Sequence, residues 1–249
     1  MANFLPLKRH MFRCLDRMIE GYAIRGPFLD VGCGRGDVSA HLAAKGWAGN
    51  AIDFSDAAVA HATVTLRAFP RVTVARQALA GAAGEYDCVI AWDVLEHIED
   101  DGAALCQMAA RLRPGGHLVL AVPSNPREWR WDDEFYGHFR RYTVADLGDR
   151  LAEAGLAATA FWDFTYPMFW AMRRAYTRFK APVRDGGDKA AATRASATVN
   201  AWDMPFVSRV LDATSLAWVP ACDIQHRLFR NSTSRGHEMF ALAQKPFTR

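Results

Sequence analysis

No stretch of the chain approaches the roughly 18 uninterrupted apolar residues that a membrane-spanning helix needs. The first ten residues, Met-Ala-Asn-Phe-Leu-Pro-Leu-Lys-Arg-His, contain neither a long apolar segment nor a small-residue cleavage site, so no targeting segment is expected. Cysteine is sparse: Cys14, Cys33, Cys88, Cys106 and Cys222 are odd in number and form no Cys-x-x-Cys pair. That excludes a disulfide framework and favours reduced thiols in the cytoplasm. Dense basic runs and RNA-binding modules are missing too, so a nucleic-acid partner is not expected. What remains reads as a soluble enzyme with 51% hydrophobic residues, and 249 residues suit a single domain, 1–249.

The most informative stretch is Leu29-Asp30-Val31-Gly32-Cys33-Gly34-Arg35-Gly36-Asp37. A short strand over residues 28–31 breaks into a glycine loop, a helix follows over 37–45, and a second strand runs over 47–52 to Asp53. This is a βαβ unit with its loop at the carboxyl end of the first strand, where open α/β sheets bind ligands. Glycine lets a ligand approach the main chain closely, and Asp53 is placed to accept hydrogen bonds from a ribose diol. Both features describe a pocket for an adenosine-containing cofactor. A dinucleotide loop runs G-x-G-x-x-G and aims helix N–H groups at a pyrophosphate. Here the spacing is G-x-G-x-G and Asp37 follows, a carboxylate that would repel phosphate. S-adenosylmethionine carries a sulfonium and an ammonium instead, and Asp30 suits that charge. Asp37 also reads as a helix-start acid favoured by the dipole.

From here the chain resembles the class I S-adenosylmethionine-dependent methyltransferases over roughly residues 25–165. Four ordered blocks carry the resemblance: Leu-Asp-Val-Gly-Cys-Gly-Arg-Gly from Leu29, Ala-Ile-Asp-Phe-Ser from Ala51, Glu85 to Ile98, and Arg111 to Pro123. The motif pattern is nearest to bacterial small-molecule and ubiquinone-pathway O-methyltransferases. The resemblance implies an α/β fold, a Rossmann-like seven-stranded sheet with helices on both faces. It implies S-adenosylmethionine contacts at Asp30, Gly32, Cys33, Gly34, Gly36 and Asp53, with Phe54, Gln77, Ala78 and Trp92 near the adenosine. Phe54 reads equally as core packing. Where the family often has an acidic residue after strand three, this chain has Arg76-Gln77-Ala78, and Gln77 supplies an acceptor oxygen instead.

Methyl transfer from a sulfonium is an in-line displacement, so the enzyme aligns an acceptor atom and removes its proton where needed. After strand four, Glu96 and His97 are candidates for that work, since histidine titrates near neutral pH; a structural role for both stays open. Asp93-x-x-Glu96-His97 is similar to the Glu-x-x-Glu-His pattern of ubiquinone-pathway enzymes, in which a divalent ion can bind. Many related enzymes carry Leu-Glu-His without metal, and none is expected here. Residues 129–142 follow strand five and should overhang the cofactor. There His138 is a second candidate base. Arg140 and Arg141 suit an acceptor carboxylate or phosphate, and Trp129, Trp131, Tyr136 and Tyr142 complete a substrate-binding set. In the alternative reading His138 and Tyr142 merely pin this lid.

The expected organisation is a helical cap over 1–24, a cofactor core over 25–165, a helical insertion over 166–235 before the last strand, and that strand with its tail over 236–249. The turn Arg113-Pro114-Gly115-Gly116 separates a helix over 103–112 from strand five over 117–122, and Thr143 with Asp146 marks a helix start. Apolar helical stretches over 164–179 and 203–220 flank a loop at 183–198. Residues 173–249 hold 13 basic and 6 acidic residues, leaving a net of −4 for the preceding chain. A basic, aromatic insertion suits an anionic or lipid-like acceptor or transient membrane-surface contact; mutual packing of the two stretches and a dimer interface are the other readings, so a monomer or homodimer is expected. The expected activity is methyl transfer to a hydroxyl oxygen. N-methylation, a nicotinamide-dependent oxidoreductase and a non-catalytic subunit are the alternatives.

Overall fold

The computed structural model describes residues 5–180, 213–214 and 216–247. Seven strands, β1 (Phe28–Val31), β2 (Gly49–Asp53), β3 (Val72–Arg76), β4 (Tyr86–Trp92), β5 (Leu112–Pro123), β6 (Ala157–Asp163) and β7 (Glu238–Gln244), form one sheet in the order β3-β2-β1-β4-β5-β7-β6. β1 to β5 pair in parallel, and β7 is inserted antiparallel between β5 and β6. The order reverses between β1 and β4, so a crevice opens beyond their carboxyl ends.

The helices are α1 (Leu5–Gly21), α2 (Asp37–Ala44), α3 (Asp56–Thr65), α4 (Asp101–Ala110), α5 (Trp131–Tyr136), α6 (Val144–Glu153), α7 (Met168–Phe179) and α8 (Val219–Phe229). Strand alternation divides the apolar side chains between two cores. Phe28, Ala51, Cys88 and Ile90 face the first with α1 and α2. Leu29, Val31, Val89 and Ala91 face the second with α4 and α6. Local chemistry sets the ends of α6: the Thr143 hydroxyl accepts from the Asp146 amide at 3.1 Å and donates to its carboxylate at 2.7 Å. Gly155, at φ +76°, then turns the chain into β6.

The cap helix α1 lies on α2 through Lys8–Asp37 (2.7 Å) and through Asp16 with His41 (2.7 Å) and Lys45 (2.8 Å). On its other side Arg13 and Arg17 both reach Asp223 of α8 at 2.7 Å. The expected turn at residues 113–116 lies instead inside β5, which begins at Leu112. The reason is that the Gly115 amide donates to the Lys245 carbonyl at 2.8 Å and the Lys245 amide to Gly116 at 2.9 Å, continuing the pairing with the end of β7. The lid is more regular than a loop, because α5 forms within it. In the insertion, α7 takes the place of the first apolar stretch. The loop at 183–198 and most of the second stretch, 203–220, lie outside the described residues. α8, which the sequence reading missed, follows that stretch.

Ile90 is 1% exposed in the central strand while Val64 on α3 is 76% exposed. Ile90→Ala should therefore cost about 2–5 kcal/mol and Val64→Ala under about 0.5 kcal/mol, read from urea midpoints at constant slope.

Candidate active site

The glycine loop leaves β1 in the conformation the ligand site needs. Gly32 has φ +66°, and a Cβ there would stand 2.5 Å from Val94 Cγ2. Gly34 has φ +52°, and a Cβ there would meet no protein atom within 4 Å, so the space beside its backbone is open. Asp53 is buried at the tip of β2, with one carboxylate oxygen accepting from the Gly34 amide at 3.0 Å and the other from the Ser55 amide at 2.8 Å. The predicted ribose ligand thus also ties the loop to the start of α3. Asp30 is buried and accepts from the Ser39 hydroxyl at 2.6 Å. Burial pushes its carboxyl up to about 7 against the pull of the Ser39 donors. Cys33 is buried and its amide donates to Ile52, a packing role with no nucleophile character, since burial raises its thiol.

Asp37 starts α2 and pairs with Lys8, which accounts for it without a ligand. Phe54 is 47% exposed, so it does not belong to the core. Gln77 donates its amide N–H to the Gly81 carbonyl, which leaves its acceptor oxygen uncommitted to that bond, and Ala78 is exposed beside it. Trp92, expected near the adenosine, packs its ring against the first core, tilted on Phe12 at 5.5 Å and edge-on to Phe240 at 5.1 Å.

A second group of side chains stands at the ends of β4 and β5. Asp93 and Asn125, directly after those strands, adopt φ +52° and +57°, a left-handed geometry that costs a non-glycine residue about 1–3 kcal/mol. The turn after Asp93 carries Glu96 and His97, and the lid supplies His138. His138 Nδ1 lies 2.9 Å from Asp133 Oδ1, while Nε2 is 3.9 Å from Glu96 Oε1. The rings of His97 and His138 meet edge to face at 4.8 Å. Ligand atoms of Glu96, His97 and His138 all lie within 4.8 Å of one another, and Glu96 Oε2 is buried without a hydrogen-bond partner. This donor set fits a divalent cation in size and chemistry. Burial raises Glu96 to about 7, opposed by His138 and Arg141. Burial and then His138 lower His97 to about 3, although the Gly137 carbonyl accepts its ring N–H. His97 is therefore a neutral imidazole at physiological pH. Desolvation in this recess, then Glu238 and Glu96, raises Asp93 well above the carboxylate range.

Arg140, Arg141 and Tyr142, expected at the acceptor, each have protein partners. Arg141 is buried, with Nη1 donating to the Ser124 and His237 carbonyls at 2.9 and 2.8 Å and Nε paired with Asp133 at 2.8 Å. Arg140 pairs with Asp101 and donates to the Glu99 carbonyl. Tyr142 is buried and donates to Asp101 at 2.8 Å. A polar group in the interior has to find such partners, and through them these residues tie the lid to Asp101 and to the Ser124 and His237 carbonyls. Trp131 likewise donates to the Thr177 carbonyl at 3.0 Å and packs on Tyr176 of α7. Tyr136 stacks on His138 at 6.1 Å, and Trp129 is 38% exposed at the rim. Nothing in the local sequence singles out Asp133, Glu238 or Arg173. The adjacent acids Asp132 and Asp133 stand in the lid beside as many arginines as acids, but Arg173 is 40 residues from Asp133 and leaves no local trace.

Residues 7–160 match the family model described as a methyltransferase domain, and the chain belongs to that family. Its fold, with a glycine loop after β1, is that of solved methyltransferases whose structures hold bound S-adenosylhomocysteine. A ubiquinone biosynthesis O-methyltransferase of Caulobacter vibrioides is 38% identical over 120 residues, 44% of this chain and 48% of the relative. The enzyme of the same name from Aromatoleum aromaticum is 34% identical over 153 residues, 59% of this chain and 60% of the relative. The chain thus spans about half the length of the curated relatives it matches. Among solved structures it is similar in fold to the N-methyltransferase NodS from Bradyrhizobium japonicum in complex with S-adenosyl-L-homocysteine, at a TM-score of 0.56 and 16% identity over 97% of this chain and 88% of that one. It is also similar in fold to the [4+2]-cyclase SpnF, at a TM-score of 0.59 and 19% identity over 95% of this chain and 81% of that one.

The Asp30 shift has a measurable consequence for stability. The unfolded carboxyl ionises near pH 4 and the folded one near pH 7, so ionisation erodes stability progressively across that window and the full cost stands above it. Asp30→Asn keeps an acceptor for Ser39. In cofactor-free melts it should raise Tm relative to wild type at pH 8, with the gain fading by pH 4.

Proposed function

We propose that the protein transfers the methyl group of S-adenosylmethionine to a hydroxyl oxygen of a small or lipid-like acceptor. The observation that carries this reading is the Asp133–His138 pair, with His138 Nε2 turned toward Glu96 and His97 on the turn after β4. That turn adjoins the glycine loop, because Val94 packs where a Gly32 side chain would stand. The acceptor oxygen attacks the methyl carbon in line, the carbon–sulfur bond breaks with its electron pair moving to sulfur, and the hydroxyl proton passes to His138 Nε2. The products are a methyl ether and S-adenosylhomocysteine. Asp53 holds the ribose and the open space at Gly34 admits the methionine portion, while Trp129 and Tyr136 border the acceptor.

The preference for oxygen is supported by the O-methyltransferases among the relatives and by the His138 ring held on Asp133 with Nε2 facing His97 and Glu96. N-methylation is the alternative that the NodS likeness keeps in view. A second reading is favoured by the proximity of Glu96, His97 and His138: there a divalent cation would supply Lewis-acid polarisation of the hydroxyl. Lipid-like acceptors are supported by the exposed Phe179 of α7 and by Ile224 and Leu228 of α8. Among the described residues no helix is long and apolar enough to cross a membrane. Five free cysteines support a cytoplasmic setting.

Calorimetry should give binding of S-adenosylmethionine and S-adenosylhomocysteine but not NAD, with affinity lost on Asp53→Ala. NAD binding in preference to both would overturn the reading. Turnover that survives exhaustive chelation removes the cation and leaves the reading without a metal.

A further inference from the structure

We infer that the insertion helix α7 is a positioning element: Arg173 clamps Asp133, and Asp133 in turn fixes the tautomer and orientation of His138. The inference rests on His138 being the group that takes the acceptor proton.

Arg173 is 4% exposed although it belongs to a helix on the outside of the sheet. Its Nε and Nη2 fork onto the two oxygens of Asp132 at 2.8 and 2.6 Å, and Nη1 donates to the Glu128 carbonyl at 2.9 Å. Nη2 also reaches Asp133 Oδ2 at 2.9 Å. That same oxygen accepts from the Arg130 amide at 2.8 Å, at the start of α5. With Oδ2 held by two donors, the carboxylate cannot rotate, and Oδ1 is left for His138 Nδ1 at 2.9 Å, with Arg141 Nε at 2.8 Å beside it. The His138 amide donates to the Asp133 carbonyl at 2.9 Å, so backbone and side chain meet the same residue.

The Arg141 and Arg173 guanidiniums pair with the Asp133 carboxylate at 2.8 and 2.9 Å, so two fixed positive charges stand against it. An ionised acceptor at Nδ1 requires a hydrogen there, and a neutral imidazole then carries its lone pair on Nε2. The lone pair is on the side facing Glu96 and His97, where the proton must be received. Only a planar fork can serve Asp132, Asp133 and a carbonyl at once, which a lysine point charge cannot.

Arg174 provides an internal control. It joins the same helix to the same lid, pairing with Glu128 at 2.6 Å and stacking over Trp170 at 4.3 Å, without touching Asp133. A helix that merely braced the lid would need both arginines alike.

The test combines long-range proton–nitrogen NMR of the His138 ring with kinetics on the full chain. Wild type should show a single Nδ1–H tautomer. Asp133→Asn should mix or invert the tautomers and lower kcat by roughly 100-fold or more, with S-adenosylmethionine affinity within about twofold. Arg173→Gln should mix the tautomers and lower kcat roughly 10–100-fold. Arg173→Lys keeps the charge and the fold, and should fall between it and wild type. Arg174→Met should keep the wild-type tautomer and a kcat within about threefold. An unchanged tautomer and kcat in Arg173→Lys and Arg173→Gln would overturn the inference, as would equal losses in Arg174→Met. Full activity in His138→Ala with an Arg173-dependent tautomer would instead remove the proton-acceptor reading, so the two failures are distinguishable.

Discussion

Asp133 carries its charge with no water around it, and the part of the molecule that does chemistry is organised by that constraint. A buried carboxylate stripped of its partners is strongly destabilising, by about 3–5 kcal/mol when one member of such a pair is removed. His138, Arg141, Arg173 and the Arg130 amide share the task of offsetting that cost. Three of these partners, Arg130, His138 and Arg141, lie in the lid, and Arg173 comes from the insertion helix α7. Satisfying one carboxylate therefore draws the insertion against the lid. The lid is closed further by Tyr142 and Arg140 on Asp101.

The two halves of the site differ in how they are built. The cofactor half is backbone work: a glycine loop with room beside it, and a carboxylate that grips its amides. The acceptor half is side-chain work, with Glu96, His97 and His138 held by burial and by an ion-pair network. The strained residues Asp93 and Asn125 sit where these halves meet, at the ends of the two central strands. The likeness to both an N-methyltransferase and a [4+2]-cyclase is one of fold, and one fold can carry different reactions.

The cofactor half was legible in the sequence because its logic is local. Glycine spacing, Asp53 at a strand end and the alternation of apolar runs all lie within a few residues of what they determine. The Thr143 start of α6 and the strand positions follow for the same reason. The acceptor half was legible only in part. His97 and His138 are marked by type, but the partners of Arg140, Arg141 and Tyr142, Asp101 and Asp133, are chosen by the fold. The packing of Trp92 is set in the same way: strand alternation puts it on the α1 face against Phe12 and Phe240. Arg173 was invisible, since nothing near it in the chain says that an insertion helix turns a guanidinium inward.

The central claim is that this fold moves a methyl group to oxygen. Incubating the protein with a metabolite extract and methyl-labelled S-adenosylmethionine tests it directly, by tracing the label and measuring S-adenosylhomocysteine. The account predicts label in a methyl ether, with one S-adenosylhomocysteine formed for each methyl transferred. Label on nitrogen, or cofactor bound without formation of S-adenosylhomocysteine, would contradict it.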